Sequence, residues 1–367
     1  MEDMKIGLFV PEKTKDRPLN ISKLNKMTGK EFKYAAKGRY AIEHILKNLV
    51  KGDEKVLLPA YFCLSILEPL HRLNLDYELY DLDINDLNPS ISSIERILER
   101  DREQIRVVIV PSFYGNPANL SEIWNVCKKY GVVMLDDAAQ SFGAMLDGKF
   151  VGTFGEAGMF AFSPGKATPG HMGSFCWSES KMEWRTTRHP LYHRVCYKNY
   201  IENRVKIYEK CNVFSAVTQY FLAFLDRIFY IGNDRMEPFE EELLGGYLWD
   251  NLDLINRRRD IHEQFLERFS NQSKFRVIQA CRGEANPCKI VLLFNKEEEC
   301  LSLKDCMTRN GISYFGGYNF LPGKNKDIDV TKKVINHVIE LPVEMNVSHM
   351  NYIGNVVEMW LETIKRG

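Results

Sequence analysis

The sequence lacks an excess of charge of either sign, since 49 Lys and Arg balance 49 Asp and Glu over 367 residues. A whole-molecule field that gathers nucleic acid or an acidic partner is therefore not its basis of action. It also lacks paired cysteines. The nine present fall in no CxxC pair or metal-ligand spacing, and their number is odd. That pattern suits the reduced thiols of a cytoplasm, not a disulfide framework. The eight histidines are spread from His44 to His349, and no metal is expected. No secretory leader is expected either, because Met1-Glu-Asp-Met-Lys5 opens with acids and the apolar run after it is short. No internal repeat or low-complexity tract interrupts the chain, which is long enough to bury two cores.

What is present is an alternation. Val56-Leu-Leu-Pro59, Tyr77-Glu-Leu-Tyr80, Val107-Val-Ile-Val110 and Val132-Val-Met-Leu135 are short, apolar and β-rich, as buried strands are. Between the last two, Leu120, Ile123, Trp124 and Cys127 repeat at helical spacing. Asn119 stands at the N-cap with Glu122 three residues on, as in a capping box, and Gly131 closes the helix. Strands alternating with helices predict an α/β fold with a mostly parallel sheet, whose ligands bind beyond the carboxyl ends of the strands.

Later segments differ. Residues 181–211 carry eight Lys and Arg against three acids, and Val213 to Ile231 is strongly apolar. Gln219, Asp226 and Arg227 break that apolar run, so a buried or interface helix is expected over a membrane span. Helical spacing returns from Leu244 to Phe269. A smaller α/β unit follows, with a strand at Lys289–Phe294, a helix before Gly311 and a last helix that carries Ile353, Val356, Val357, Trp360, Leu361 and Ile364 on one face. The expected division is a large domain over 1–235, with a helical insert at about 181–231, and a small domain over 236–367.

One lysine gives this frame a chemistry. Lys166, within Gly158-Met-Phe-Ala-Phe-Ser-Pro-Gly-Lys166, follows Val132-Val-Met-Leu-Asp-Asp-Ala-Ala-Gln140 by about one β-turn-β unit. An acid leaving a buried strand, a glutamine one turn later and a lysine on the next strand-loop are the parts that hold pyridoxal 5′-phosphate (PLP). The amine forms a Schiff base with the aldehyde, and the carboxylate keeps the pyridine nitrogen protonated so that the ring absorbs carbanion charge. The glutamine amide reaches the ring's phenolic oxygen.

These motifs resemble the DegT/StrS family of PLP-dependent sugar aminotransferases, of the fold type I, aspartate aminotransferase-like architecture. The resemblance runs from Gly38-Arg-Tyr-Ala-Ile-Glu-His-Ile-Leu46 through Phe113-Tyr-Gly-Asn-Pro117 and Leu135-Asp-Asp-Ala-Ala-Gln140 to Lys166. It continues at Gly232-Asn-Asp-Arg-Met236 and Val338-Ile-Glu-Leu-Pro-Val343. It implies that Lys166 is the Schiff-base lysine and proton shuttle, that Asp137 and not Asp136 meets the pyridine nitrogen, and that Gln140 meets the ring oxygen. It also implies that the amides of Gly38, Arg39 and Tyr40 bind phosphate at a helix N-terminus, with a hydroxyl from Ser163. Asn233 matches an asparagine that reaches the partner subunit's phosphate, which implies a homodimer with shared sites. Phe62 is the expected ring-stacking aromatic, with Tyr61 next.

The chain departs from the family pattern at Ala161, where a serine is usual, and at Gly170-His-Met-Gly173, where a glutamate is missing. The family's histidine-bearing loop reads Tyr314-Phe-Gly-Gly-Tyr318. The activity the resemblance implies is transfer of an amino group from glutamate or glutamine to a keto-sugar, expected to be linked to a nucleotide, in polysaccharide or secondary-metabolite synthesis. Two rivals stand beside it: dehydration or elimination on the same fold, for which His171 speaks and Lys166 speaks against, and a partner protein that has lost catalysis.

Overall fold

The structure is a computed structural model. It describes residues 19–162, 166, 173–182, 184, 244, 245, 248, 249, 252–318, 327–343 and 345–366. In chain order the elements are α1 Ile21–Thr28, β1 Lys33–Ala35, α2 Gly38–Leu49, β2 Lys55–Pro59, α3 Leu67–Arg72, β3 Tyr77–Tyr80, α4 Ile91–Asp101, β4 Ile105–Pro111, α5 Leu120–Tyr130 and β5 Val133–Asp137. A hairpin of β6 Met145–Leu146 and β7 Lys149–Phe150 precedes β8 Ala157–Ala161 and β9 Ser174–Ser178. After these come α6 Ile255–Arg268, β10 Phe275–Val277, β11 Lys289–Phe294, α7 Glu297–Arg309, α8 Asp329–Val334, β12 Val338–Pro342 and α9 Val347–Arg366.

The four strands expected from the apolar runs form, each shifted by two residues or fewer, as β2, β3, β4 and β5. They join a seven-stranded sheet of order β1-β9-β8-β5-β4-β2-β3, in which β3, β2, β4, β5 and β8 pair in parallel. Strand β9 alone runs against its neighbours β8 and β1. Alternate side chains explain why both faces are buried. Leu57, Val108, Val110 and Met134 face α4 and α5 in one core, while Val56, Leu58, Val107, Ile109 and Leu135 face α2 and α3 in the other.

Helix α5 ends as its sequence demands, with Gly131 at φ 69° and its amide bonded back to the Cys127 and Lys128 carbonyls. At its other end the capping box does not form. Asn119 occupies the N-cap position with φ −77° and ψ 61°, and its side chain caps nothing. The N-terminal amides are served in part by main chain, since Leu120 N–H donates to the Ala118 carbonyl at 2.8 Å.

The second sheet is antiparallel, β10-β11-β12. Strand β11 serves two cores by the same alternation. Ile290, Leu292 and Phe294 join Phe265, Leu303, Val357 and Trp360 of α6, α7 and α9, whereas Val291 and Leu293 meet Tyr61, Leu82, Phe113 and Tyr114 of the large unit. The helical stretch before α6 belongs with the large sheet, because Leu244, Leu248 and Trp249 are buried in its core. Ile261, Phe265 and Phe269 lie in the smaller core. The packing therefore changes hands near Leu254, where a turn separates the two helical stretches; the expected boundary at 235 lies outside the described residues.

The units are tied by buried polar contacts. The Asp81 carboxylate, at the end of β3, accepts from the Val330 and Thr331 amides and the Thr331 hydroxyl at 2.7–2.9 Å. Asp86 pairs with Arg282 at 2.8 Å. Gly115, at φ 88°, lies so close to the Asn286 carbonyl that a Cβ would collide with it.

Candidate active site

The carboxyl end of β5 carries two adjacent acids that alternation separates. Asp136 is fully buried, and its Oδ2 accepts from the Gly152 and Phe154 amides at 2.6 and 3.0 Å. Burial outweighs those bonds and pushes its carboxyl up to about 8. Asp137 takes the other side. Its Oδ1 accepts from the Ala139 amide at 2.9 Å. Burial raises its pKa, while that amide and the Lys166 ammonium pull it back down.

Lys166 is half-buried, and its charge also acts on Cys288, the residue just before β11. The ammonium is thus sensed by an acid of the large unit and a thiol of the small one.

Gln140 lies one turn beyond Asp137. Its Oε1 accepts from the Tyr114 amide at 3.0 Å, and its Nε2 donates to the Tyr318 hydroxyl. Tyr114 holds φ 61°, a conformation uncommon for a residue with a Cβ, within the Phe113–Gly115 turn after β4. Strain of that kind is kept where neighbours fix it, and here the Tyr114 carbonyl also accepts from the Cys288 amide at 3.1 Å.

The α2 N-terminus reaches the same edge. A Cβ on Gly38 would lie 3.1 Å from both Ala161 Cβ and Met159 Cε, at the end of β8, so the missing side chain permits the approach. The Lys37 side chain makes no capping bond. Of the three amides expected to face an anion, that of Tyr40 is spent in the first turn on the Lys37 carbonyl, at 3.0 Å. The Arg39 side chain pairs with Glu68.

Other expected residues stand differently. Phe62 is 4 % exposed within the apolar cluster that holds Tyr40, Ile45 and Ile66. Its ring packs within that core. Tyr61, the alternative, is also fully buried and turns to the small unit, where its hydroxyl donates to Glu340 at 3.2 Å and accepts from Tyr114 at 2.9 Å. Ser163, His171 and Asn233 lie outside the described residues, as does nearly all of the 181–231 insert. Among the described residues no helix is long and apolar enough to cross a membrane.

Sequence reasoning missed the aromatic cage around Gln140. Tyr61, Tyr114 and Tyr318 surround a buried Lys289–Glu340 ion pair between β11 and β12. Single tyrosines in a sequence look like core, and only the docking of the two units brings these together. The one available signal was Glu340 within the otherwise apolar Val338-Ile-Glu-Leu-Pro342, since a buried charge requires a partner.

Residues 25–188 match the DegT/DnrJ/EryC1/StrS aminotransferase family, and the chain is related to that family through this segment. Among curated proteins, it is 33% identical over 113 residues to the GDP-4-keto-6-deoxy-D-mannose 3-dehydratase of Escherichia coli O55:H7, covering 31% of this chain and 28% of that one. It is 30% identical over 115 residues to the UDP-N-acetyl-3-dehydro-alpha-D-glucosamine 3-aminotransferase of Acidithiobacillus ferrooxidans, 31% of this chain and 30% of that one. The matches thus span less than a third of these relatives' lengths. The fold extends further. A crystal structure of GDP-4-keto-6-deoxymannose-3-dehydratase with a trapped PLP-glutamate geminal diamine superposes with a TM-score of 0.66 at 18% identity, over 93% of each chain. The architecture is that of the fold type I PLP enzymes.

Proposed function

We propose that this chain is a PLP-dependent aminotransferase that moves an amino group from glutamate or glutamine to a keto-sugar carried on a nucleotide. The observation that supports the reading is the grouping at the end of β5: Asp137, half-buried and held by the Ala139 amide, Gln140 one turn on, and the Lys166 charge drawing the Asp137 pKa down. The donor set fits the cofactor: an amine for the aldehyde, an acid for the ring nitrogen, an amide for the ring oxygen and a helix N-terminus against Ala161 for the phosphate. When bound, PLP supplies the electron sink that makes the α-proton of an amine acidic.

The chain's residues divide the remaining work. Asp137 is held by the Ala139 amide and shielded in part from solvent, so its charge would act on the ring nitrogen with reduced screening. Lys166 would hold the cofactor through its Nζ and, when free, would carry a proton at that atom. Gln140 presents a fixed amide dipole. The large unit covers one side of the cleft and the small unit, through Cys288 and Tyr318, the other, which limits water.

The relatives favour a nucleotide-linked sugar, since the names of both curated proteins specify GDP- or UDP-linked ones. Similarity to a dehydratase motivates the second reading, dehydration on the same fold. Lys166 favours transamination, because a retained amine can form and re-form the link to the cofactor. The protein is further proposed to work as a homodimer in the cytoplasm, with Asn233 reaching the partner's site.

Absorbance tests this directly. The purified protein should carry a visible lysine-linked chromophore that is lost in Lys166→Ala. Glutamate or glutamine should shift the band toward pyridoxamine phosphate. A loaded protein inert to every amino donor would sink the transaminase reading and leave the non-catalytic one.

A further inference from the structure

Gln140 is the one expected cofactor contact whose orientation the surroundings dictate at both ends. A main-chain N–H can only donate, so the Tyr114 amide at 3.0 Å fixes the Gln140 carbonyl oxygen on its side. The NH₂ end must then face away, and it donates one hydrogen to the Tyr318 hydroxyl. The second N–H of that group is the only one left to address the cleft.

Tyr318 is itself held. Its ring meets Tyr61 edge-on at 5.1 Å and Phe113 at 6.2 Å. A Cβ on Gly317, which has φ 86°, would lie 2.8 Å from the Tyr61 hydroxyl oxygen, so the Gly317–Tyr318 main chain is seated against that hydroxyl. The Tyr61 hydroxyl is in turn anchored by Tyr114 and by Glu340, whose charge is balanced by Lys289. The chain of contacts runs from the small sheet to one amide of the large unit. A buried ion pair and three tyrosines contribute little net stability for their desolvation, but they leave the Gln140 amide a single orientation.

We propose that Tyr318 is a positioning residue, which aims the Gln140 amide at the phenolic oxygen of the cofactor by holding one of its two N–H groups. The proposal rests on the reading of the cleft as a PLP site and adds to it a residue from the small unit. A donor aimed at that oxygen stabilises its anionic form and weakens the hold of the neighbouring nitrogen on its proton. Without Tyr318 the amide is free to swing, and the chromophore should keep its proton to higher pH.

The experiment is an absorbance pH titration of the PLP-loaded full chain as wild type, Tyr318→Phe, Gln140→Leu, the double variant and Phe315→Ala, with a melting curve for each. Phe315 shares the loop, its exposed ring is centred 4.4 Å from the Lys289 ammonium and its main chain pairs with Glu340, so removing its side chain disturbs the loop while leaving the Tyr318–Gln140 bond in place. The protonation midpoint should rise by about half to one unit in Tyr318→Phe, the size of one ordinary hydrogen bond. It should rise no further when Tyr318→Phe is added to Gln140→Leu, and it should stay put in Phe315→Ala. An unchanged midpoint in Tyr318→Phe, or additive shifts in the double variant, overturns the proposal while leaving the PLP reading intact. Loss of the chromophore in Tyr318→Phe at unchanged melting temperature overturns it as well, since Tyr318 would then hold the cofactor itself. A wild-type protein with no lysine-linked chromophore overturns both.

Discussion

The two sheets meet at one cleft and are built in opposite ways. The large parallel sheet presents strand ends, and its contributions, Asp137, Gln140 and the Gly38 turn, follow one another within short sequence motifs. The small antiparallel sheet presents a face. Its contributions, Lys289, Glu340 and Tyr318, come from two strands and a loop and have meaning only when docked. On the proposed reading the strand ends carry the reacting groups, whereas the small sheet fixes their orientation. Substitutions on the first should therefore cost activity with little stability, and substitutions on the second should cost stability or tuning.

The largest effect is expected at Lys166. Replacing it with alanine should lower turnover by about 10²–10⁴-fold, the usual worth of a positioned proton-transfer group, with a melting temperature close to wild type. Asp137→Ala should likewise lose far more activity than stability. Equal loss of both would return Asp137 to a helix-capping role and break the comparison.

Next come changes that strike the docked face. Glu340→Ala leaves the Lys289 ammonium buried without its partner, and denaturant unfolding should record a loss of about 3–5 kcal/mol. Replacing both residues with apolar ones of similar volume should recover much of it. Asp81→Ala removes the acceptor for two amides and a hydroxyl at the start of α8, and about 1–2 kcal/mol should be lost.

The smallest effect is a slope. Folding pushes the Asp136 carboxyl up to about 8, so the folded state holds that proton more tightly than the unfolded chain does. Its contribution is full below the ordinary carboxylate range and is lost as pH rises toward 8. Melting temperature should fall over that window more steeply in wild type than in Asp136→Asn. Parallel curves would contradict the assignment of Asp136 to the closed back of the strand.

Much of this was legible beforehand for physical reasons. Strands buried on both faces must be apolar throughout, so β2 and β4 stand out from the polar helices between them. The acid, amide and lysine of the site are close along the chain because one strand and its neighbour supply them. The choice of Asp137 over Asp136 came from resemblance, and alternation along β5 puts the two acids on opposite sides, with Asp136 the buried one. At Phe62 the sequence leaves two roles open, because an aromatic beside a strand end suits a core as well as a cofactor. At Asn119 the cap position was legible, but the side-chain bond that the spacing to Glu122 suggests does not form. Tyr318 and Glu340 stayed hidden because their partners lie 178 and 279 residues away, at Gln140 and Tyr61.

The central claim is one covalent link, and trapping it is the most direct test. The protein should be loaded with PLP, reduced with borohydride and digested, and the phosphopyridoxyl group located by mass spectrometry. The account predicts the adduct on Lys166, with little elsewhere. An adduct on another lysine, or none, would contradict it.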